Sequence, residues 1–226
     1  MATALHPSAA PSTIVDHGPP TPVRAAPGAS LLAACLVLGT VVLGGVVLGF
    51  EPAQNAVDSW GFSVFPAVAH SAFLRAVTDL GLAPVTAGIS LVAAATIWRR
   101  DRRRTFACLA GPGLAVGLAE LCKIVVGRKF QNALCWPSGT AAVVGAVVVA
   151  VVLCTRGKGR AAAVVIGSAV VILEVIALVA FRWHYLSDAL GGVFLGVGSV
   201  LLVDALVHRI RRPARRRRPA PGDMTS

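Results

Sequence analysis

Residues 31–50 read LLAACLVLGTVVLGGVVLGF and contain no charged side chain. A helix of roughly 20 apolar residues crosses the hydrocarbon core of a bilayer, so this stretch has the length and the composition of a transmembrane span. It is longer than the apolar core of a signal peptide, and it lacks a clear small-residue cleavage pattern. We therefore interpret residues 31–50 as a first membrane helix.

Five further apolar runs follow, at about 80–98, 105–126, 138–154, 161–181 and 189–208. Hydrophobic residues make up 56% of the chain and charged residues 14%, which favours a membrane protein over a soluble domain. The sequence thus predicts an all-α integral membrane bundle of six transmembrane helices. The run at 138–154 is short and polar at its start, so we expect its helix to begin at a protein-lined surface.

The two ends of the chain lack the apolar periodicity of a folded core. Residues 1–28 are rich in proline, alanine, serine and threonine, and residues 209–226 are rich in arginine and proline. Segments of this composition cannot bury enough apolar surface to become ordered. We expect two disordered tails around a membrane domain at 29–208.

Basic residues are concentrated in three segments, at 99–104, 156–160 and 209–218. Because cytoplasmic loops carry an excess of lysine and arginine, we place these segments and both termini in the cytoplasm. The opposite, extracytoplasmic side of the cell membrane then carries the loops at about 51–79, 127–137 and 182–188. The net charge of +11 lies in short runs, which favours anionic membrane lipids over nucleic acid as partners.

The first outer loop contains a stretch, at 67–80, with apolar residues at helical spacing. These are Val68, Ala72, Val77 and Leu80, with His70, Arg75 and Asp79 between them. This pattern predicts an amphipathic helix at the membrane interface. A solvated surface helix is the alternative.

The last outer loop carries His184 and Asp188, four residues apart at the predicted start of the final span. At that spacing the two side chains lie on one face of a helix. A carboxylate that fixes the imidazole tautomer leaves the other ring nitrogen free as a nucleophile or a base. The alternative is a His-Asp pair that only caps the helix.

The second outer loop ends in Pro137-Ser138-Gly139-Thr140, where the fourth span starts. The hydroxyl of Ser138 and the free N–H groups of a first helical turn can face an anion, which makes this segment a candidate phosphate seat. An ordinary serine cap is the alternative.

Four basic side chains surround this seat in the predicted topology, Lys123, Arg128, Lys129 and Arg182. Their charge-assisted hydrogen bonds would stabilise phosphate oxygens. Basic residues at helix ends also extend toward lipid headgroups as simple anchors, so that reading stays open.

Three carboxylates fall within or near the predicted spans, Glu120, Glu174 and Asp204. Such residues are candidates for function, including proton transport. We favour a structural role, in which Glu120 pairs with Lys123 and Glu174 pairs with Arg182.

The five cysteines show no metal-ligand spacing, and we interpret them as packing residues. A disulfide between Cys122 and Cys135 stays open, because the sequence does not fix their distance.

The ordered motifs of the outer loops carry a family resemblance. Lys123, Pro137-Ser138-Gly139 and the His184/Asp188 pair follow one another on one predicted membrane face. This arrangement resembles the phosphatidic acid phosphatase type 2 (PAP2) superfamily of lipid phosphate phosphatases, over about residues 65–205.

The match to the family motifs is partial. In family members, six residues separate the lysine from an Arg-Pro pair. Counted from Lys123, those two positions are Phe130 and Gln131 here. The histidine that follows Pro-Ser-Gly in the family is Thr140. In the third motif, five residues separate an arginine from the histidine, and the arginine position is Leu178 here. Arg182 is the candidate to supply the missing cation.

The resemblance implies a PAP2-like fold and a set of site residues. His184 would be the catalytic nucleophile that forms a phosphohistidine, with Asp188 as its orienting carboxylate. The phosphate would be bound by Lys123, Arg128, Ser138, Gly139 and Arg182, with Thr140 and Lys129 as further candidates. The family chemistry needs no metal or other cofactor.

The substrate expected from this resemblance is a lipid phosphate. The family's second-motif histidine protonates the leaving oxygen, and the hydroxyl of Thr140 cannot do this near neutral pH. A diphosphate releases phosphate, which is a better leaving group than an alkoxide. We therefore expect a hydrolase that favours a polyprenyl diphosphate or another lipid diphosphate over a monophosphate.

Two other functions stay open at this stage. The substitutions at Phe130, Thr140 and Leu178 favour a catalytically silent relative that binds lipid phosphates or partner proteins. A transporter would depend on Glu120 and Glu174, but the sequence has no convincing inverted repeat. The excess of arginine over lysine beside abundant alanine, valine and glycine indicates a bacterial chain.

Overall fold

The computed structural model describes residues 27–50, 53–68 and 70–210. Within them the chain forms eight helices and one short hairpin. The helices are α1 (Pro27–Phe50), α2 (Ala56–Val64), α3 (Ala72–Asp79), α4 (Ala83–Ile97), α5 (Arg102–Val126), α6 (Gly139–Cys154), α7 (Gly157–Ala180) and α8 (Leu186–Ile210). The hairpin pairs β1 (Lys129–Phe130) with β2 (Ala133–Leu134) in antiparallel register. The predicted tails at 1–28 and 209–226 lie outside the described residues, except for residues 27–28, which begin α1, and residues 209–210, which end α8.

Helices α1, α4, α5, α6, α7 and α8 coincide with the six apolar runs of the sequence. In the described part of the chain, α1, α5, α7 and α8 are long and apolar enough to cross a membrane. Helices α3 and α4 pass the same test only as a pair bent by 57°, and α6 is a shorter apolar helix of 16 residues. The all-α architecture is confirmed, with four or five candidate spans among the described residues.

Helix α6 lies at the centre of the bundle and contacts α4, α5, α7 and α8. It is apolar on all sides, as a helix surrounded by other helices requires. Its first turn is preceded by Trp136 and Ser138, both buried. The short apolar run therefore begins inside protein, as its polar start predicts.

Glycines on α8 allow that helix to contact α6 backbone to backbone. A Cβ atom at Gly192 would overlap the carbonyl oxygen of Ser138, and one at Gly196 would overlap the carbonyl oxygen of Ala142. Small residues permit this close approach between membrane helices. We call this contact the α6–α8 seam, and it holds the start of α6 against the first two turns of α8.

Two short helices cover one end of the bundle. Helix α3 lies within the predicted amphipathic stretch, and its cap is Ser71, whose hydroxyl accepts a hydrogen bond from the Leu74 N–H. Helix α2 is not anticipated by the sequence analysis. Its cap, Asn55, forms a reciprocal capping box with Asp58, and this spacing of Asn and Asp is a recognised signal for a helix start.

The two ends of the bundle differ in chemistry. At one end the α5–α6 and α7–α8 loops meet, since the Ser138 N–H donates to the carbonyl oxygen of Asp188 at 2.9 Å. At the other end Arg103 pairs with Asp204 at 3.4 Å and Arg104 donates to the carbonyl oxygen of Leu153 at 2.8 Å. The outer loops of the predicted topology thus share one end, and basic residues mark the opposite one.

Candidate functional site

A cavity of about 700 Å³ opens among α4, α5 and α6 at the end where the outer loops meet. The polar residues of its lining at this end are Glu120, Lys123, Thr140 and His184, beside Gly139, and Thr86 and Ser90 of α4 line it as well. Most of the remaining lining is apolar and comes from α4 and α5, including Ala87, Leu91, Leu109 and Val116. We call Glu120, Lys123, Thr140 and His184 the cavity cluster.

The N-terminus of α6 forms part of the cavity wall. Ser138 is fully buried and acts as the helix cap, because its hydroxyl accepts a hydrogen bond from the Ala141 N–H at 3.4 Å. Gly139 and Thr140 follow it and face the cavity. Backbone N–H groups of a first helical turn have no partner within the helix, so this wall carries partial positive charge.

Lys123 lies above this helix start together with Glu120. The Lys123 ammonium is 2.7 Å from a carboxylate oxygen of Glu120, which confirms the predicted pair. A Cβ atom added to Gly139 would lie 3.7 Å from both of these atoms. The side chain of Glu120 is 60% exposed, whereas that of Lys123 is 18% exposed. Both charges therefore stand over the first residue of α6.

His184 lies between this cavity and a buried carboxylate. Its Nδ1 atom is 3.8 Å from Oδ2 of Asp188, which is longer than a hydrogen bond. Among the described residues this nitrogen has no hydrogen-bond partner. Oδ2 of Asp188 instead accepts a hydrogen bond from the Tyr185 N–H at 3.2 Å. The two side chains lie close together, but His184 precedes α8 by two residues rather than sharing a helical face with Asp188, and the carboxylate is directed mainly toward other donors.

The principal partner of Asp188 is Arg128. One terminal nitrogen of Arg128 donates to Oδ1 of Asp188 and to the Ser187 hydroxyl, both at 2.7 Å. The other terminal nitrogen pairs with Asp58. Burial lowers the pKa of this guanidinium, but the hydrogen bond to Asp58 and the nearby charge of Asp188 bring the net pKa above its ordinary value. We call Asp58, Arg128, Ser187 and Asp188 the buried ion-pair cluster.

This placement corrects one prediction. Arg128 was expected to bind phosphate, but its side chain has no exposed surface and both terminal nitrogens donate to protein acceptors. The charge of Arg128 is used to hold the outer loops together.

Asp58 is the member of this cluster that the sequence analysis misses. Its Oδ1 atom accepts hydrogen bonds from the N–H of Ser187 at 3.0 Å and from the Ser187 hydroxyl at 2.7 Å. The only local signal is the capping box with Asn55, which predicts a helix start and gives no indication of a distant arginine.

The remaining cationic candidates lie away from the cavity lining. Arg182 stands over the Phe62 ring, with its guanidinium carbon 4.0 Å from the ring centroid, and it donates to the Phe62 carbonyl oxygen at 3.2 Å. Lys129 is exposed on β1. The predicted pair between Glu174 and Arg182 is wrong, because neither carboxylate oxygen of Glu174 has a hydrogen-bond partner among the described residues.

Phe130 and Leu178 stand at the two positions where the motifs of the resembling family carry arginine, and both are packed in apolar or aromatic surroundings. The Phe130 ring is 4.5 Å from the Tyr185 ring, which in turn stacks on Arg128 at 4.3 Å. Leu178 is 1% exposed within an apolar cluster formed by α6, α7 and α8. These two positions supply no charge to the cavity.

Cys122 and Cys135 are both free, so the disulfide left open by the sequence is not formed. The Cys135 thiol donates to the carbonyl oxygen of Arg128 at 3.4 Å. Burial, and then the negative charge of Asp188, raises the pKa of the Cys135 thiol to about 12. Cys135 is therefore a packing residue beneath the hairpin.

Comparisons with known proteins give one informative result. No family sequence model matches the chain, and no curated protein matches its sequence. Among solved structures, the chain is similar to one described as the first transmembrane PAP2 type phosphatidylglycerolphosphate phosphatase, from Bacillus subtilis. The TM-score is 0.60 at 20% sequence identity, over 76% of this chain and 96% of that one.

At 20% identity the similarity concerns the fold. It extends over 96% of the solved chain. With the helix order and the long apolar helices described above, it shows that this chain has a PAP2-like membrane-protein fold.

Proposed function

We propose that this protein is a multi-pass membrane phosphatase that removes phosphate from a lipid phosphate or diphosphate at the outer face of the cell membrane. One observation carries the proposal: an imidazole, His184, and an ammonium, Lys123, line the same cavity at the N-terminus of α6. An imidazole, a fixed cation and the positive end of a helix are the groups that phosphoryl transfer requires.

The mechanism follows from these positions. Phosphate oxygens bind Lys123 and the free N–H groups of Gly139 and Thr140. The outer ring nitrogen of His184, Nε2, attacks phosphorus to form a phosphohistidine, and the leaving group departs. Asp188, 3.8 Å from Nδ1, stabilises the positive imidazole that results. Arg128 acts indirectly in this scheme, because it holds Asp188 in place.

The lipid part of the substrate would occupy the apolar portion of the cavity. That portion lies between α4 and α5 and continues from the polar mouth toward the middle of the bundle. Binding sites of this kind combine an apolar lining with a few convergent polar groups. The continuity of the two linings supports a substrate with an apolar chain attached to an anionic headgroup.

A diphosphate is the better substrate in this site. Thr140 occupies the position of the family's acid histidine, and its methyl group packs against Gly81. A phosphate leaving group departs without the proton that an alkoxide needs. We therefore propose a polyprenyl diphosphate or a similar lipid diphosphate as the preferred substrate.

The proposed orientation has six spans, with α4 and α6 crossing inside the bundle beside the four long apolar helices. Both termini would be cytoplasmic, because the basic residues at 99–104 lie at the bundle end opposite the cavity. The cavity then opens toward the outer leaflet.

The test measures phosphate release by purified protein in detergent, without added metal, from a polyprenyl diphosphate and from its monophosphate. We expect release by the wild type and a loss of about 10³-fold or more in His184→Ala. Folding of both proteins is checked by size-exclusion chromatography and thermal unfolding. Unchanged turnover in His184→Ala would refute the phosphohistidine mechanism.

A silent lipid-phosphate-binding relative is the second candidate. It is favoured by the 3.8 Å separation of His184 from Asp188 and by the burial of Arg128. Folded wild-type protein that binds a lipid diphosphate but releases no phosphate would decide for this function.

A further inference from the structure

Glu120 is not used by the mechanism above. Among the described residues that line the cavity, it is the only carboxylate. Asp58 and Asp188 are fully buried behind the cavity and are paired with Arg128. Glu120 instead lines the cavity with 60% of its side chain exposed.

The position of Glu120 is fixed on two sides. Lys123 lies one helical turn away on α5 and holds one carboxylate oxygen at 2.7 Å. The same oxygen would be 3.7 Å from a Cβ atom at Gly139, so it stands beside the start of α6. The second carboxylate oxygen has no hydrogen bond to any described residue in the cavity, since Lys123 is bonded only to the first. This oxygen is free to accept a hydrogen bond from water.

We propose that Glu120 is the general base of the second half of the reaction, in which water hydrolyses the phosphohistidine. This inference rests on the proposed function and adds a catalytic residue to it. A positioned carboxylate that removes a proton from attacking water typically raises the rate by about 10²- to 10⁴-fold.

The step balances as follows. The oxygen of a water molecule forms a bond to phosphorus while one water proton passes to the carboxylate of Glu120. The P–N bond to His184 breaks, and its electron pair returns to the ring nitrogen. Inorganic phosphate then dissociates from Lys123 and leaves the cavity, and the protonated Glu120 releases its proton to solvent.

This assignment is consistent with the absence of an acid at Thr140. With a diphosphate, the first step transfers the terminal phosphoryl group to His184, and the lipid monophosphate departs without a proton donor, so that step needs cations alone. Water is a poor nucleophile at neutral pH, so the second step needs a base. The cavity cluster supplies both groups, since Lys123 is the cation for the first step and Glu120 is the base for the second.

The experiment follows both half-reactions in Glu120→Gln, with Asp79→Asn as the matched control. Asp79 is an exposed carboxylate at the end of α3 that does not line the cavity. The probe is a polyprenyl diphosphate labelled with ³²P at its terminal phosphate. Rapid quenching in base preserves the phosphohistidine, and its amount is measured on the protein.

For Glu120→Gln we expect turnover to fall by about 10²-fold while the labelled phosphohistidine accumulates toward one per protein. Glu120→Asp should recover part of the turnover, and Asp79→Asn should match the wild type. Slower turnover without accumulation would overturn the inference, because it would mean that Glu120 only positions Lys123 for substrate binding. Wild-type turnover in Glu120→Gln would also overturn it. Absence of phosphate release from the wild type itself would refute the proposed function.

Discussion

The buried ion-pair cluster and the cavity cluster contain similar residue types and nearly touch at His184 and Asp188, yet they differ in how their hydrogen bonds are satisfied. Arg128 has no exposed surface and donates to two carboxylates and a hydroxyl. Lys123 bonds one carboxylate beside an open cavity, and His184 leaves Nδ1 unpartnered within the described part of the chain.

This difference separates the roles of the charges. A buried network whose charged groups are paired with one another fixes the relative positions of the elements that contribute to it, and it presents no exposed donor to a ligand. A cluster beside a cavity retains that capacity. The comparison supports loop positioning for Arg128 and, under the proposed function, phosphate binding for Lys123, although the two residues are only five positions apart at the end of α5 and just after it.

The largest expected effect is on stability, from Arg128→Met. Removing this cation leaves Asp58 and Asp188 buried without a counter-charge, and breaking such a pair costs about 3–5 kcal/mol. Thermal and denaturant unfolding in detergent measure the loss. A cost below about 1 kcal/mol would contradict the structural role of the cluster.

Lys123→Met tests the opposite side of the comparison. We expect turnover to fall by about 10²-fold, since one fixed donor to the transferring phosphate is lost. The free energy of unfolding should change by less than about 1 kcal/mol, because the broken pair with Glu120 is partly exposed. Steady-state kinetics and unfolding of the same preparation provide both values. A loss of stability as large as that expected for Arg128→Met would contradict the assignment of different roles to the two clusters.

Thr140→His adds to the cavity cluster the acid that it lacks. We expect the ratio of monophosphate to diphosphate hydrolysis to rise by about 10-fold or more, because an alkoxide leaving group gains a proton donor. The control is Thr140→Val, which removes the hydroxyl and keeps the branched shape. A similar ratio in both variants would show that leaving-group protonation does not determine substrate preference.

The smallest effect is expected at Lys129. Its side chain is exposed on β1 and takes no part in either cluster. Lys129→Met should therefore change turnover by less than about 2-fold and stability by no more than about 0.5 kcal/mol, as is usual for exposed sites. A loss comparable with that of Lys123→Met would place Lys129 in the phosphate site.

The sequence predicted the helices well because each apolar run carries its own signal. The length and composition of these runs place the helices at the six predicted positions, and the spacing of His184 and Asp188 predicts that the two side chains lie close together. Glu120 and Lys123 are similarly predictable, since residues three apart on a helix are neighbours.

The sequence does not predict which basic residue belongs to the buried ion-pair cluster and which to the cavity cluster. Arg128 and Lys123 have the same charge and a similar position in the chain, and only the packing of α2 brings Asp58 to Arg128. Arg182 has a positive φ of 58° and points its guanidinium at Phe62, which no local pattern predicts. These choices depend on contacts between residues far apart in the chain.

The α6–α8 seam makes one wall of the cavity rigid and leaves the opposite wall free to vary in its side chains. Thr140 is the second residue of α6 and His184 stands just before α8, so the glycine contacts keep the distance between the two fixed. The opposite wall comes from α4 and α5, where side chains rather than backbones line the cavity. Under the proposed function this wall contacts the lipid tail, so substitutions there change the preference for lipid length or saturation without disturbing the reacting groups.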